Sequence, residues 1–127
     1  APQFLIPKLV SHFARRADRI ELGNLHVERE FNDVRMVCAA YLGLLAHGQP
    51  GQVYNVCSGE PHTLQHVLAT LEGITGHHMA VDVNPAFVRA NEVHRLCGSP
   101  AKLLACVGSL HQPALRETLQ TMLQACK

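Results

Sequence analysis

The residues best suited to hold a charged ligand are Arg29 and Arg89, the latter followed three positions later by Glu92. A guanidinium presents a planar fork of donors that matches phosphate oxygens, and a carboxylate accepts from hydroxyls. A plainer reading stands open beside each. Arg29 can form a surface ion pair with Glu28 or Glu30, and Arg89 can form a helix pair with Glu92 at i, i+3. Asn24 carries both an amide donor and a carbonyl acceptor, yet an Asn in a Gly-Asn turn also serves its own backbone. Lys8 reads as a solvated helix lysine. His62 and His66 have the spacing of two zinc ligands on one helix face, but no third ligand accompanies them, and His77-His78 side chains point opposite ways on an extended chain. No metal site and no catalytic residue are expected.

These side chains need elements to position them. Leu22 to Asp33, LGNLHVEREFND, holds an expected turn at Gly23-Asn24, residue types that most readily tolerate positive φ, between short strands at Ile20–Leu22 and Val27–Phe31. The two strands are expected to make one small β element, with Arg29 near a strand end. Asp33 can cap the helix that follows, Val34 to Ala46, whose apolar run is Val34, Val37, Cys38, Tyr41, Leu42 and Leu45. Pro50-Gly51 turns the chain into an apolar strand at Val53–Cys57, which expects cover on both faces.

Before this stretch, Leu5, Leu9, Val10, Phe13 and Ala14 recur at helical spacing, with Pro7 in the first turn. After it, Thr63 can cap a helix with Leu64, Val67, Leu68, Leu71 and Ile74 on one face, closing at Gly76. Ala80 to Val83 reads as a strand, Ser99-Pro100 as the start of a short helix, and Ala114 to Cys126 as the last helix. The expected class is α/β, with mixed short strands and about five helices.

Three stretches resemble one family. LGNLHVEREFNDVR is similar to the LGNL…RDF.DVRD segment of GDP-mannose 4,6-dehydratases and GDP-4-dehydro-6-deoxy-mannose reductases, within the extended short-chain dehydrogenase/reductase family of NAD-dependent epimerases and dehydratases. GQVYNVCSG at Gly51–Gly59 resembles the family's GEVYNVCSG, and RANEVHRLCGSPAKL at Arg89–Leu103 resembles RPxEV…GDxxKL. The resemblance covers essentially the whole chain and the C-terminal third or so of such an enzyme. It implies a sugar-nucleotide-binding C-terminal domain over 1–127 of a Rossmann-type enzyme, in which the helix-strand segment 33–57 joins a parallel sheet supplied by an N-terminal cofactor domain absent from this chain. Opening on Ala1-Pro2-Gln3 without Met, the chain reads as cut from something longer.

By the same resemblance, Arg29 and Arg89 clamp the pyrophosphate, Glu92 accepts from ribose hydroxyls, and Asn24 and Lys8 lie near the base. The implied activity is NADP(H)-dependent reduction of the 4-keto group of GDP-4-dehydro-6-deoxy-mannose. GDP-mannose 4,6-dehydration, another nucleotide-sugar epimerase or dehydratase reaction, and a non-catalytic sugar-nucleotide-binding or scaffolding role are the alternatives. Neither a G-x-x-G-x-x-G loop nor a Tyr-x-x-x-Lys pair occurs in the sequence. This piece alone is therefore expected to be inactive, with NADP(H) held mainly by residues outside it. Departures from the family pattern are Glu30 for Asp, Met36 for the Asp of DVRD, Ala90 for Pro and Ser99 for the Asp of GD. Gly98-Ser99 together with VYNVCSG favours the reductase branch.

At 127 residues the chain can bury one core. A formal charge of +1, with no segment concentrating Lys and Arg, argues against nucleic acid as a partner. No run is apolar enough to span a membrane and no leader opens the chain, so a cytoplasmic protein is expected. Its 5 cysteines lack a C-x-x-C and are read as reduced thiols, several of them core. The apolar seam of segment 33–57 predicts self-association or another covering chain, with a homo-oligomer the expected form.

Overall fold

The computed structural model describes residues 3–126. Its elements are α1 (Leu5–Ala14), β1 (Arg19–Leu22), β2 (Glu28–Glu30), α2 (Val34–His47), β3 (Pro61–Thr63), α3 (Leu64–Thr75), β4 (Ala80–Val83), α4 (Ala101–Val107) and α5 (Leu115–Ala125), with a 3-10 turn at Pro85–Phe87. Chain segments interleave to form two compact units: Ala1–Val27, Thr63–His94 and Ala114–Lys127 make the first, Glu28–His62 and Arg95–Pro113 the second.

In the first unit α1, α3 and α5 pack on one another. Their periodic residues supply the core: Leu9, Val10 and Phe13 from α1, Leu64, Val67, Leu68 and Leu71 from α3, Leu119 and Leu123 from α5. Thr63 caps α3 by accepting from the His66 amide at 3.1 Å, and Gly76 ends it in the left-handed region at φ 67°. Beside the helices β1 and β4 run parallel, Arg19 opposite Ala80 and Leu22 opposite Val83. Strand alternation turns Ile20 and Leu22 inward while Arg19 reaches Asp82 at 3.3 Å on the exposed side. His77 sits edge-on to Phe13 and its Nε2 bonds the Ala17 carbonyl at 2.7 Å, while His78 meets Glu72 at 3.1 Å.

The second unit holds the sheet of β2 with β3, which ends at the unit's boundary, and the pair α2 and α4. Asp33 is almost wholly buried and caps α2, its Oδ1 accepting from the Arg35 amide at 2.8 Å; the Arg35 guanidinium also donates to both carboxylate oxygens. Met36 and Ala40 turn inward, and Val34, Tyr41, Leu42 and Leu45 are exposed. Gly43 lets α4 approach, since a Cβ there would lie 2.9 Å from the Val107 Cβ.

Several expectations are corrected. The strands flanking the Gly23-Asn24 turn do not pair with each other; β1 takes β4 and β2 takes β3. Neither turn residue has positive φ. Gly23 is needed for a close approach instead: a Cβ would come within 2.7 Å of the Phe87 carbonyl oxygen. Val53–Cys57 is no strand, because strand character requires a hydrogen-bonded neighbour and none of the described strands lies beside it. Ser99 is not the cap of α4, which starts after Pro100, although Ser99 Oγ accepts from the Ala101 amide at 3.4 Å. None of the cysteines is buried.

Candidate functional site

β2 is three residues long, and Arg29 is its middle residue. Such a strand is too short to hold a side chain by its own ladder, so its surroundings must fix it. Residues 95–98 lie alongside, with a parallel bridge from Glu28 to Arg95 and the Leu96 amide on the Glu28 carbonyl at 3.0 Å. Arg29 Nη1 donates to that same carbonyl at 2.8 Å, so the expected ion pair with Glu28 or Glu30 is replaced by a backbone bond. Its side chain lines an open cavity of about 570 Å³ with Asn32, Tyr41, Tyr54, Asn55, Cys57, Leu96, Cys97 and Gly98.

Glu30 organises the walls of this cavity. Its Oε1 accepts from the Ser58 amide at 2.7 Å, Ser58 Oγ at 3.0 Å, the Gly59 amide at 3.2 Å and Asn32 Nδ2 at 3.3 Å. Its Oε2 accepts from the Gly98 amide at 2.6 Å. Burial raises the carboxyl pKa, but the amides of Gly98 and Ser58, then the Ser58 hydroxyl and Asn32, outweigh it and hold the value down at about 2. Cys57 and Cys97 are pushed the other way, by desolvation first and then by Glu30, which keeps both thiols protonated. Lys102 Nζ donates to the Val53 carbonyl at 2.8 Å and lies 4.9 Å from the centre of the ring of Tyr54, a cavity-lining residue.

Lys8, Asn24, Arg89 and Glu92 belong to the first unit. Lys8 is half-buried and tethered rather than free: Nζ donates to the Glu21 carbonyl at 2.7 Å and sits 5.2 Å from the centre of the Phe87 ring. Asn24 Oδ1 accepts from the His26 amide at 2.9 Å, the backbone role open to it from the start. Phe87 thus gathers Lys8, the Gly23-Asn24 turn and the beginning of the Arg89 loop. Arg89 is exposed, and residues 88–98 are not helical, which removes the frame for an i, i+3 pair with Glu92. Glu92 Oε2 is buried with no hydrogen-bond partner among the described residues. Among those residues no cluster of His, Cys, Asp or Glu is placed to hold a metal ion, and no helix is long and apolar enough to cross a membrane.

Glu30 is the residue that sequence reasoning missed. In the sequence it stood out only as a possible ion-pair partner of Arg29 and a departure from an Asp in the resembled pattern, because its wall partners Ser58, Gly59 and Gly98 lie 28 to 68 positions away.

No family model matches the chain. A GDP-6-deoxy-D-mannose reductase from Pseudomonas aeruginosa PAO1 is 34% identical over 125 residues, covering 94% of this chain and 41% of that protein. A provisionally assigned epimerase from Burkholderia cenocepacia J2315 superposes with a TM-score of 0.96 at 48% identity, over 99% of this chain and 42% of that one. Over nearly its whole length the chain is similar in sequence to the first of these and shares the fold of the second. The RMD structure from Pseudomonas aeruginosa, complexed with NADPH, agrees at a TM-score of 0.91 and 31% identity, over 99% of this chain and 43% of that one. The chain spans about 41% of the length of the curated relative it matches. Its α/β class is that of these neighbours over the part matched.

Proposed function

We propose that this chain is the substrate-binding portion of an NADP(H)-dependent GDP-sugar oxidoreductase that reduces the 4-keto group of GDP-4-dehydro-6-deoxy-mannose. The observation that carries the reading is the match across 94% of the chain to a GDP-6-deoxy-D-mannose reductase. Local geometry supports it. Arg29 lines a cavity while making no ion pair with its acidic neighbours, which leaves a guanidinium able to meet a diphosphate. Arg89 is exposed on a non-helical loop, and the unpartnered Glu92 Oε2 suits a ribose hydroxyl donor. Lys8 and Asn24 flank one turn and would face the base, though their side-chain bonds to Glu21 and His26 already give both a structural role.

NADPH, when bound to the whole enzyme, supplies the hydride. The residues present here do not form its site: none of the described strands leads through a glycine-rich loop into a helix, and β1 runs into Gly23-Asn24. This chain's part is therefore to bind and orient the sugar nucleotide. Calorimetry of the chain with GDP-mannose tests that part, with saturable binding expected and UDP-glucose as the weaker competitor. The enzyme reading is tested in the encoding frame upstream of Ala1, where a glycine-rich loop and a Tyr-x-x-x-Lys pair are expected. Their absence there, with binding intact, would leave a non-catalytic binding domain.

A further inference from the structure

We propose that Glu30 is a positioning residue for ligand binding at Arg29, its single carboxylate fixing the two loops that wall the arginine's cavity. The inference rests on the sugar-nucleotide reading above and names the group that prepares that site.

The two oxygens of Glu30 divide between two loops. Oε1 takes the amides of Ser58 and Gly59 and the Ser58 hydroxyl, and Oε2 takes the amide of Gly98. The same two loops contribute Cys57, Cys97 and Gly98 to the cavity that Arg29 lines. Their approach is tight: a Cβ on Gly98 would lie 2.8 Å from Cys57 Sγ and 3.6 Å from Glu30 Oε2. The carboxylate thus closes a bridge from the end of β2 to both walls, where the strand's own few residues could not.

A second consequence concerns charge. Glu30 is the neighbour of Arg29 and could compete with a phosphate for its guanidinium. Saturated by backbone and side-chain donors, the carboxylate has its charge compensated elsewhere, and Arg29 turns to the Glu28 carbonyl instead. The anion site is kept cationic although carboxylates flank it on both sides.

A carboxylate accepts at both oxygens, whereas an amide presents one acceptor and one donor. Glu30→Gln therefore sets an NH2 against a backbone N–H whichever way the amide is turned, with almost no change of shape. In the full chain we expect Glu30→Gln to weaken GDP-mannose binding about tenfold by calorimetry and to speed amide exchange at Ser58 or Gly98 by about tenfold, the scale of one lost charged hydrogen bond. Ser58→Ala, which removes only the hydroxyl contact, is expected to move both readouts the same way by about threefold or less. It serves as the test if Glu30→Gln does not fold. Faster exchange with GDP-mannose affinity unchanged overturns the proposal, since a purely structural carboxylate would do that. If the unaltered chain binds no GDP-mannose, the sugar-nucleotide reading fails, and inorganic pyrophosphate becomes the probe. Loss of pyrophosphate binding in Arg29→Ala but not in Glu30→Gln, or no binding in any of them, then overturns the positioning role as well.

Discussion

Gly23 and Phe87 meet so closely that a Cβ on the glycine would lie 2.7 Å from the Phe87 carbonyl oxygen and 3.4 Å from its Cβ. The contact continues the β1–β4 pairing, since the Asn84 amide donates to the Leu22 carbonyl at 2.7 Å and carries the chain toward the 3-10 turn. Backbone stands on the far side, so the clash cannot be relieved by a rotamer change. Gly23→Ala is expected to cost about 1–3 kcal/mol, read as a lower urea midpoint at unchanged slope. The Lys8 contact with the Phe87 ring should loosen with it. An unchanged midpoint would show that the Pro85–Phe87 turn shifts freely.

Glu30 gives the chain a pH dependence whose sign is fixed. Its folded pKa of about 2 lies below the ordinary 4.5, so the folded state holds the ionised form more tightly than the unfolded one. The resulting stability is fully present above about pH 4.5 and is lost as pH falls toward 2. Partial solvent access screens the effect, and about 1–2 kcal/mol is expected across that window. Denaturant titrations at pH 5 and pH 3, compared with Glu30→Gln, isolate it: the difference between variant and parent should shrink as pH falls. A difference that stays constant would assign the variant's cost to packing.

What the sequence made legible follows from how local each signal is. Asp33 before Val34, Thr63 before Leu64 and Gly76 after Thr75 act within one helical turn, and all three fall where the caps require. The helix faces of α1 and α3 were legible because one buried stripe at a 3.6-residue period decides them. Partner choice in the sheets was not, since Ile20 and Val81 face each other across 61 residues that carry no local mark of the pairing. The site divides the same way. Arg29 stood out by type, but Glu30, whose bonds reach Ser58 and Gly98, could not be seen to hold the walls. Lys8 and Asn24 kept the structural roles their surroundings offered.

The arginines give the most direct test of the binding reading. Arg29→Ala and Arg89→Ala should each weaken GDP-mannose binding by about 1.5–3 kcal/mol if both make charged hydrogen bonds to phosphate. Removing both should exceed either alone, and raising salt should weaken the parent more than the double variant. Since Arg29 bonds only a neighbouring carbonyl and Arg89 is exposed, neither change should lower the thermal midpoint by more than a degree or two. Affinity equal to the parent's in both single variants rejects a phosphate-binding role for these arginines.

The outer face of α2 makes a prediction about association. Leu45 is 85% exposed, Leu42 and Val34 69% and Tyr41 60%, and Val53 in the following segment is 79% exposed. Met36, Ala40 and Gly43 face the other way, the first two buried and the glycine against α4, so this apolar face has no cover within the second unit. Exposed apolar side chains gathered on one helix favour contact with a second surface, whether another copy or another chain. Leu45→Glu should leave the unfolding midpoint within about 0.5 kcal/mol of the parent, because nothing packed is disturbed. It should also shift sedimentation of the chain toward monomer and reduce binding of a hydrophobic dye. If Leu45→Glu sediments like the parent at every concentration, the face does not mediate self-association, and covering it by other means should then have no effect on solubility.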